Sequence, residues 1–305
     1  MNQRGWWRAA AAAAAIGLAA GCYQSPTDPF SLGGHTGGGN LPVNQSDVTT
    51  TSISASSSQA NNQGIYVSVL DQNGDPLDPT YFNGANFQVT YNGTPVPAGS
   101  ITVTTAGGSG QSISSSLVLD YSGSMGSQDI TDMENGAVTF VNNMRGPDRG
   151  EVIKFGSSVI VEQVYTSDKN ALRTAVTGST GAGGSTAFYD ATYQGLLDTQ
   201  SETGQRAVIA FTDGYENASV QITSQAQLVN EAQSRGIPVF TIGLGSADQT
   251  GLQAIATQTN GRYYYAPDSA QLATIYQQIA QIFTNTLIIS WPSFTYQSGA
   301  TVTVT

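Results

Sequence analysis

Hydrophobic positions along the chain fall into distinct regimes. Residues 65–70 have strand character, and at 87–91 and 101–104 apolar and polar residues alternate with the two-residue period of half-buried strands. Asn73-Gly74 and Asn92-Gly93 are hairpin-type turn pairs between them. The same strand texture returns at 287–291 and 300–304. Between 114 and about 285 the pattern changes to short apolar runs separated by stretches of helical spacing. Strands are predicted over 117–120, 152–155, 159–164, 207–212, 239–243 and 262–265. Helices are predicted over 127–144, 169–176, 187–200, 223–234, 249–258 and 269–283, the last with Leu272, Ile275, Tyr276, Ile279, Ile282 and Phe283 on one face. Strand–helix alternation of this kind builds a doubly wound α/β sheet. Residues 152–155 and 159–164 are joined through Gly156, too short a link for a crossover, so one strand is antiparallel in an otherwise parallel sheet. The two β-rich flanks are expected to form one small all-β module, because isolated hairpins are marginal alone. The α/β unit would then be inserted in it.

The first residues follow none of these patterns. Arg4 and Arg8 precede an apolar run, Ala9 to Ala20, that is too short to span a bilayer, and Gly21-Cys22 follows. Leu18-Ala19-Ala20-Gly21-Cys22 resembles a bacterial lipobox, with Ala19 where Leu is commonest. That resemblance makes 1–21 a signal peptide and Cys22 a lipidated first residue. The competing reading is an ordinary secretory cut near Ala20. Cys22 is the chain's single cysteine, so it can form no internal disulfide. Residues 22–62 are Gly-, Ser-, Thr- and Asn-rich and poor in large apolar side chains, which reads as a disordered tether with a reach of about 35 Å. The implied boundaries are 63–113 and 286–305 for the two parts of the β module and 114–285 for the α/β domain.

Charge narrows the partners. The formal net charge is −11, and removing the first 21 residues takes it to −13. Such a chain is a poor partner for nucleic acid or anionic lipid but is compatible with binding divalent cations. The Gly-rich stretch 178–186 lacks the Lys of a phosphate-binding loop, which argues against nucleotide.

The richest chemistry sits where the first α/β strand ends. Asp120-Tyr121-Ser122-Gly123-Ser124 closes a buried apolar run and precedes a helix, the position at which open α/β sheets present their sites. Its donors are all hard oxygens, which suit Mg²⁺, Mn²⁺ or Ca²⁺ rather than zinc. The same residues are also ordinary turn and helix-capping residues.

Two further stretches decide between these readings. Gly183-Gly184-Ser185-Thr186-Ala187 opens a predicted helix, and Phe211-Thr212-Asp213-Gly214 ends a predicted strand. With Asp120-x-Ser122-x-Ser124 they resemble, in order, the three motifs of the von Willebrand factor A (VWA) domain and its metal-ion-dependent adhesion site. The resemblance covers about 170 residues. It implies a mostly parallel, Rossmann-like six-stranded sheet with one divalent ion held by Asp120, Ser122, Ser124, Thr186 and Asp213. A protein ligand would supply an acidic side chain to the ion's open position, and no catalytic residue is implied. In a bacterial envelope lipoprotein this suggests adhesion or complex assembly. The alternatives are a metal-dependent phosphoesterase using Asp120 and a purely structural envelope lipoprotein. The sole histidine, His35, lies in the tether, so a Ser-His-Asp triad within the domain is excluded. The phosphatase loop's second acid is replaced by Ser122.

Overall fold

Every residue of strand β6, Ile113–Asp120, is buried, which is the condition for a strand covered on both faces. The computed structural model describes residues 48–55, 64–71, 75–106, 111–292, 294 and 302–304. Around β6 stands a six-stranded sheet in the order β11 (Tyr263–Ala266), β10 (Val239–Leu244), β9 (Gln205–Thr212), β6, β7 (Arg149–Phe155) and β8 (Val159–Thr166). All neighbours are parallel except β7 and β8, which form the expected hairpin. The turn between them depends on Gly156, since a Cβ there would lie 2.3 Å from the Gly183 carbonyl oxygen.

Alternation along the strands divides the core in two. Leu117, Leu119, Ile209 and Phe211 face helices α1 (Ser127–Asn143), α2 (Lys169–Thr177) and α6 (Leu272–Thr284). Val118, Ile153, Phe155 and Val208 face α3 (Phe188–Thr199), α4 (Gln225–Arg235) and α5 (Gln249–Gln258). Residues 269–271, expected within the last helix, form a 3-10 turn that leads into α6. Gly136 lets α1 and α6 approach closely: a Cβ there would meet the Tyr276 ring at 2.6 Å and the Leu272 backbone at 3.2 Å.

The flanks build two small antiparallel sheets. One has the order β1 (Val48–Ala55), β2 (Ile65–Asp71), β12 (Leu287–Ser290), β5 (Thr102–Thr105). The other contains β13 (Val302–Val304), β3 (Val89–Tyr91) and β4 (Thr94–Pro95). Asn92 and Gly93 turn the β3–β4 hairpin with φ of 49° and 77°, as an Asn-Gly pair favours. Each sheet takes strands from both ends of the sequence, and their shared core holds Ile65, Val67, Phe87, Ile289, Trp291 and Phe294. The Trp291 ring stands edge-on to Tyr91 and Phe294, with centroids 5.6 and 4.8 Å away.

The segment 22–62, expected as a disordered tether, contains a strand. Val48–Ala55 pairs antiparallel with β2, from Val48 opposite Asp71 to Ala55 opposite Ile65. Threonine, valine and isoleucine supply β propensity there without a conspicuous apolar run, and an edge strand needs no more. Cys22, His35 and the Asn73-Gly74 turn lie outside the described residues.

Thr286 joins the two units. Its hydroxyl donates to the Ile282 carbonyl at 2.8 Å, accepts from Gln205 at 3.1 Å and lies 3.1 Å from the Ser68 hydroxyl. Its carbonyl accepts from the Ala106 amide at 2.9 Å.

Beneath the sheet centre, Glu151 is 1% exposed and accepts a 2.7 Å hydrogen bond from Ser116. Burial pushes its carboxyl up to about 9, with Asp198 adding to the rise. The folded chain therefore holds a proton here that the unfolded chain releases above its ordinary value of 4.5. The linkage destabilises the fold progressively as pH rises from about 5 to 9, opposite to the usual behaviour of a paired carboxylate. Glu151→Gln should remove this slope and gain about 4 kcal/mol at pH 8 relative to pH 5, measured by urea unfolding across that range. Gly136→Ala should cost about 1–3 kcal/mol in the same assay, because neither Tyr276 nor the Leu272 backbone has room to yield.

Candidate metal centre

The carboxyl end of β6 brings the predicted residues together. Asp120, the last residue of β6, is fully buried, and both of its oxygens are engaged. Oδ1 accepts from the Ser122 amide at 2.7 Å, bending the chain back after the strand. Oδ2 accepts from the Thr212 hydroxyl at 2.6 Å, tying the end of β6 to the end of β9. Thr212 in turn accepts from the Gly214 amide at 3.1 Å, which directs the chain past Asp213.

A string of oxygens runs outward from that buried anchor. The Ser122 and Ser124 hydroxyls are 3.1 Å apart, and Ser124 donates to Asp213 Oδ1 at 2.6 Å. A Cβ on Gly214 would stand 3.4 Å from Thr186 Oγ1 and 3.6 Å from Ser124 Oγ, so both hydroxyls border the same small space. All five predicted residues thus lie together at the carboxyl end of the sheet's central strands. The capping alternative is not what forms: the N-cap of α1 is Gly126 and that of α3 is Ala187, neither capped by a serine or threonine hydroxyl.

The loops that carry these groups are laced by backbone. The Gly123 amide donates to the Gly184 carbonyl at 2.7 Å, and the Ser157 amide to Gly183 at 2.6 Å. Gly184 has φ of +81°, and a Cβ on it would meet Ser157 Oγ at 2.5 Å. The glycines at 183–184 serve this close approach of three loops rather than a phosphate. Thr186 is clamped by Asn217, whose side chain accepts from its amide at 2.8 Å and whose amide donates to its carbonyl at 3.1 Å.

Three residues of this support were not legible beforehand. Asn217 gave no signal, being 31 positions from its partner. Glu216 accepts from the amides of Tyr189, Ala218 and Ser219 and from the Ser219 hydroxyl. Asp190, in the first turn of α3, accepts from the amides of Val220, Gln221 and Ile222. Together they make the segment after Asp213 a rigid extension of the start of α3.

The electrostatics fit a cation. Burial pushes Asp120 up to about 6, the hydrogen bonds from Thr212 and Ser122 oppose this, and the charge of Asp213 adds to it. Burial likewise raises Asp213, with Ser124 opposing and Asp129 adding. Two carboxylates each destabilised in ionised form, bordered by neutral hydroxyls, form a place where positive charge is lacking. Among the described residues no three His, Cys, Asp or Glu side chains form a metal-holding group, so a cation here would depend on the hydroxyls.

Comparison with known proteins identifies the fold. Residues 116–278 match the von Willebrand factor type A domain. An uncharacterised protein of Synechocystis sp. is 26% identical over 174 residues, which is 55% of this chain. The chain spans only 41% of the length of that relative. Among solved structures, a von Willebrand factor type A protein from Catenulispora acidiphila superposes with a TM-score of 0.50 at 15% identity, covering 78% of this chain and 50% of the other. Proximal thread matrix protein 1 from the mussel byssus, described with a zinc-occupied MIDAS motif, gives a TM-score of 0.52 at 18% identity over 64% of this chain and 50% of its own. Strand order, motif order and the extent of the match lead to one conclusion: the chain belongs to the von Willebrand factor type A domain family.

Proposed function

We propose that this chain is a bacterial envelope lipoprotein that binds a protein ligand through one divalent cation at the carboxyl end of β6. The reading is carried by the convergence of Asp120, Ser122, Ser124, Thr186 and Asp213 on one small space. Ser122, Ser124 and Thr186 would hold the ion through neutral hydroxyls, with Asp120 and Asp213 behind them. Mg²⁺ or Mn²⁺ suits such a set, and Ca²⁺ is the third candidate. With so few anionic donors the bound ion keeps Lewis acidity, which is the chemistry that attracts a carboxylate from a partner. The protein's part is preorganisation: Asp120 fixes the two serines and the Thr212–Gly214 turn, and Asn217 fixes Thr186. These residues position donors for the ion, and the proposal assigns none of them a catalytic role.

The anchor belongs to the same proposal. Lipid on Cys22 would hold the domain at a membrane surface, and among the described residues no helix is long and apolar enough to cross a membrane.

Saturating Mg²⁺ or Mn²⁺ should raise the melting temperature of the full chain by about 5 °C at neutral pH. The rise should disappear in Asp120→Ala and in the exposed-site variant Ser124→Ala, and it should fade below about pH 6 as Asp120 takes up a proton. An unchanged melting temperature in the wild type at pH 7.5 would refute the metal site. For the anchor, mass analysis of the envelope-derived protein should give an acylated Cys22 as first residue, and Cys22→Ser should release the protein into the soluble fraction.

A further inference from the structure

The cations of the α/β domain, one buried lysine apart, are confined to one end, where Asp148, Glu202 and Glu231 pair with Arg145, Arg149 and Arg235. Seven of the eight described Lys and Arg residues lie away from the metal-site end. Arg149, Arg206 and Arg262 stand at the amino ends of β7, β9 and β11, and Arg145 and Arg235 follow or end helices that return to that level. Lys169 and Arg173, on α2, bond to Met144 and Asn142 at the end of α1. The eighth, Lys154, is fully buried beneath Tyr121, with Nζ 4.6 Å from the ring centroid and donating to the Gly178 carbonyl. The opposite end carries Asp129 in the first turn of α1 and Asp213, Glu216, Asp248 and Asp268 in its loops. Among the described residues it has no exposed cation to balance them.

Two features beside Asp213 give this end a shape. On one side is an open cavity of about 330 Å³ lined by Asp129, Asp213, Ser246, Asp268 and Ser269. On the other, Tyr215 and Val220 stand 61% and 84% exposed on the segment that Glu216 and Asp190 hold rigid. A large side chain kept in water by a stiff loop is preorganised for contact, and a tyrosine face also accepts a cationic group.

We infer that the ligand of this site is a basic protein surface presenting a single carboxylate: the acid reaches the metal, a neighbouring Lys or Arg enters the cavity between Asp129 and Asp268, and Tyr215 covers the other flank. This rests on the metal-site reading. One divalent ion leaves the surrounding acids uncompensated, so an acidic partner approaching the same ion meets like charge, whereas a basic one is steered in.

The test uses the full chain in saturating Mn²⁺ and three short synthetic peptides, each with one central Glu flanked by Lys, by Ser or by Asp, followed by fluorescence anisotropy. At low ionic strength the Lys-flanked peptide should bind about tenfold tighter than the Ser-flanked one, and the Asp-flanked peptide weakest. The preference should shrink to about twofold in ~0.5 M salt. Asp129→Asn combined with Asp268→Asn should reduce it at least threefold. Equal affinity for all three peptides, with Glu→Gln still abolishing binding, overturns the inference while leaving the metal site intact. Binding of the Lys-flanked peptide that survives both Glu→Gln and EDTA overturns the inference and the metal-site reading together. Absence of binding by the Lys-flanked peptide at ~1 mM overturns the inference too.

Discussion

The carboxylate of Asp120 is the constraint on which the site end of this molecule depends. It is buried at the end of the central strand, where an unpaired charge or an unmet acceptor is costly. Its two oxygens are satisfied in two directions, by the Ser122 amide and by the Thr212 hydroxyl. One bond sets the path of the loop into α1, and the other locks β6 to β9 at the level where both strands end. The positions of Ser124 and Asp213 follow from these two bonds. Removing the carboxylate would leave a free amide and a free hydroxyl in the core, so the residue that contributes charge to the site also shapes it.

Much of this architecture was readable from pattern. The buried run before Asp120, the hairpin at Gly156 and the oxygen-bearing motifs at three strand or helix ends each had a local signature. What escaped reading depended on partners far apart in sequence. The strand Val48–Ala55 lacks an apolar run because it lies at a sheet edge and is specified by its partner β2. The clamp of Asn217 on Thr186, and the three amides collected by Asp190, join residues about 30 positions apart. Helix-start acids are common enough that Asp190 was indistinguishable from a residue serving the dipole of its own helix. Glycines 183 and 184 were conspicuous, but their reason, the proximity of the 156–157 turn, is invisible without the fold.

The hydrogen-bonded segment after Asp213 also explains how an exposed surface can be both apolar and ordered. Glu216 and Asp190 neutralise the amides that would otherwise need water, so the loop is stiff without packing Tyr215 or Val220 into a core. Loops of this kind spend conformational entropy at folding rather than at binding.

The route by which the chain enters and leaves the α/β domain has a consequence for its modularity. Strand β5 ends at Thr105, and β12 begins at Leu287 directly opposite it in the same ladder. Exit and return are thus one strand spacing, about 4.8 Å, apart. Seen from the small sheet, the whole α/β unit occupies the place of a hairpin loop. The chain can therefore leave and rejoin the ladder there without breaking its register, so the α/β unit is carried as an insert, and the Thr286 contacts with Ser68 and Gln205 seat it on its host.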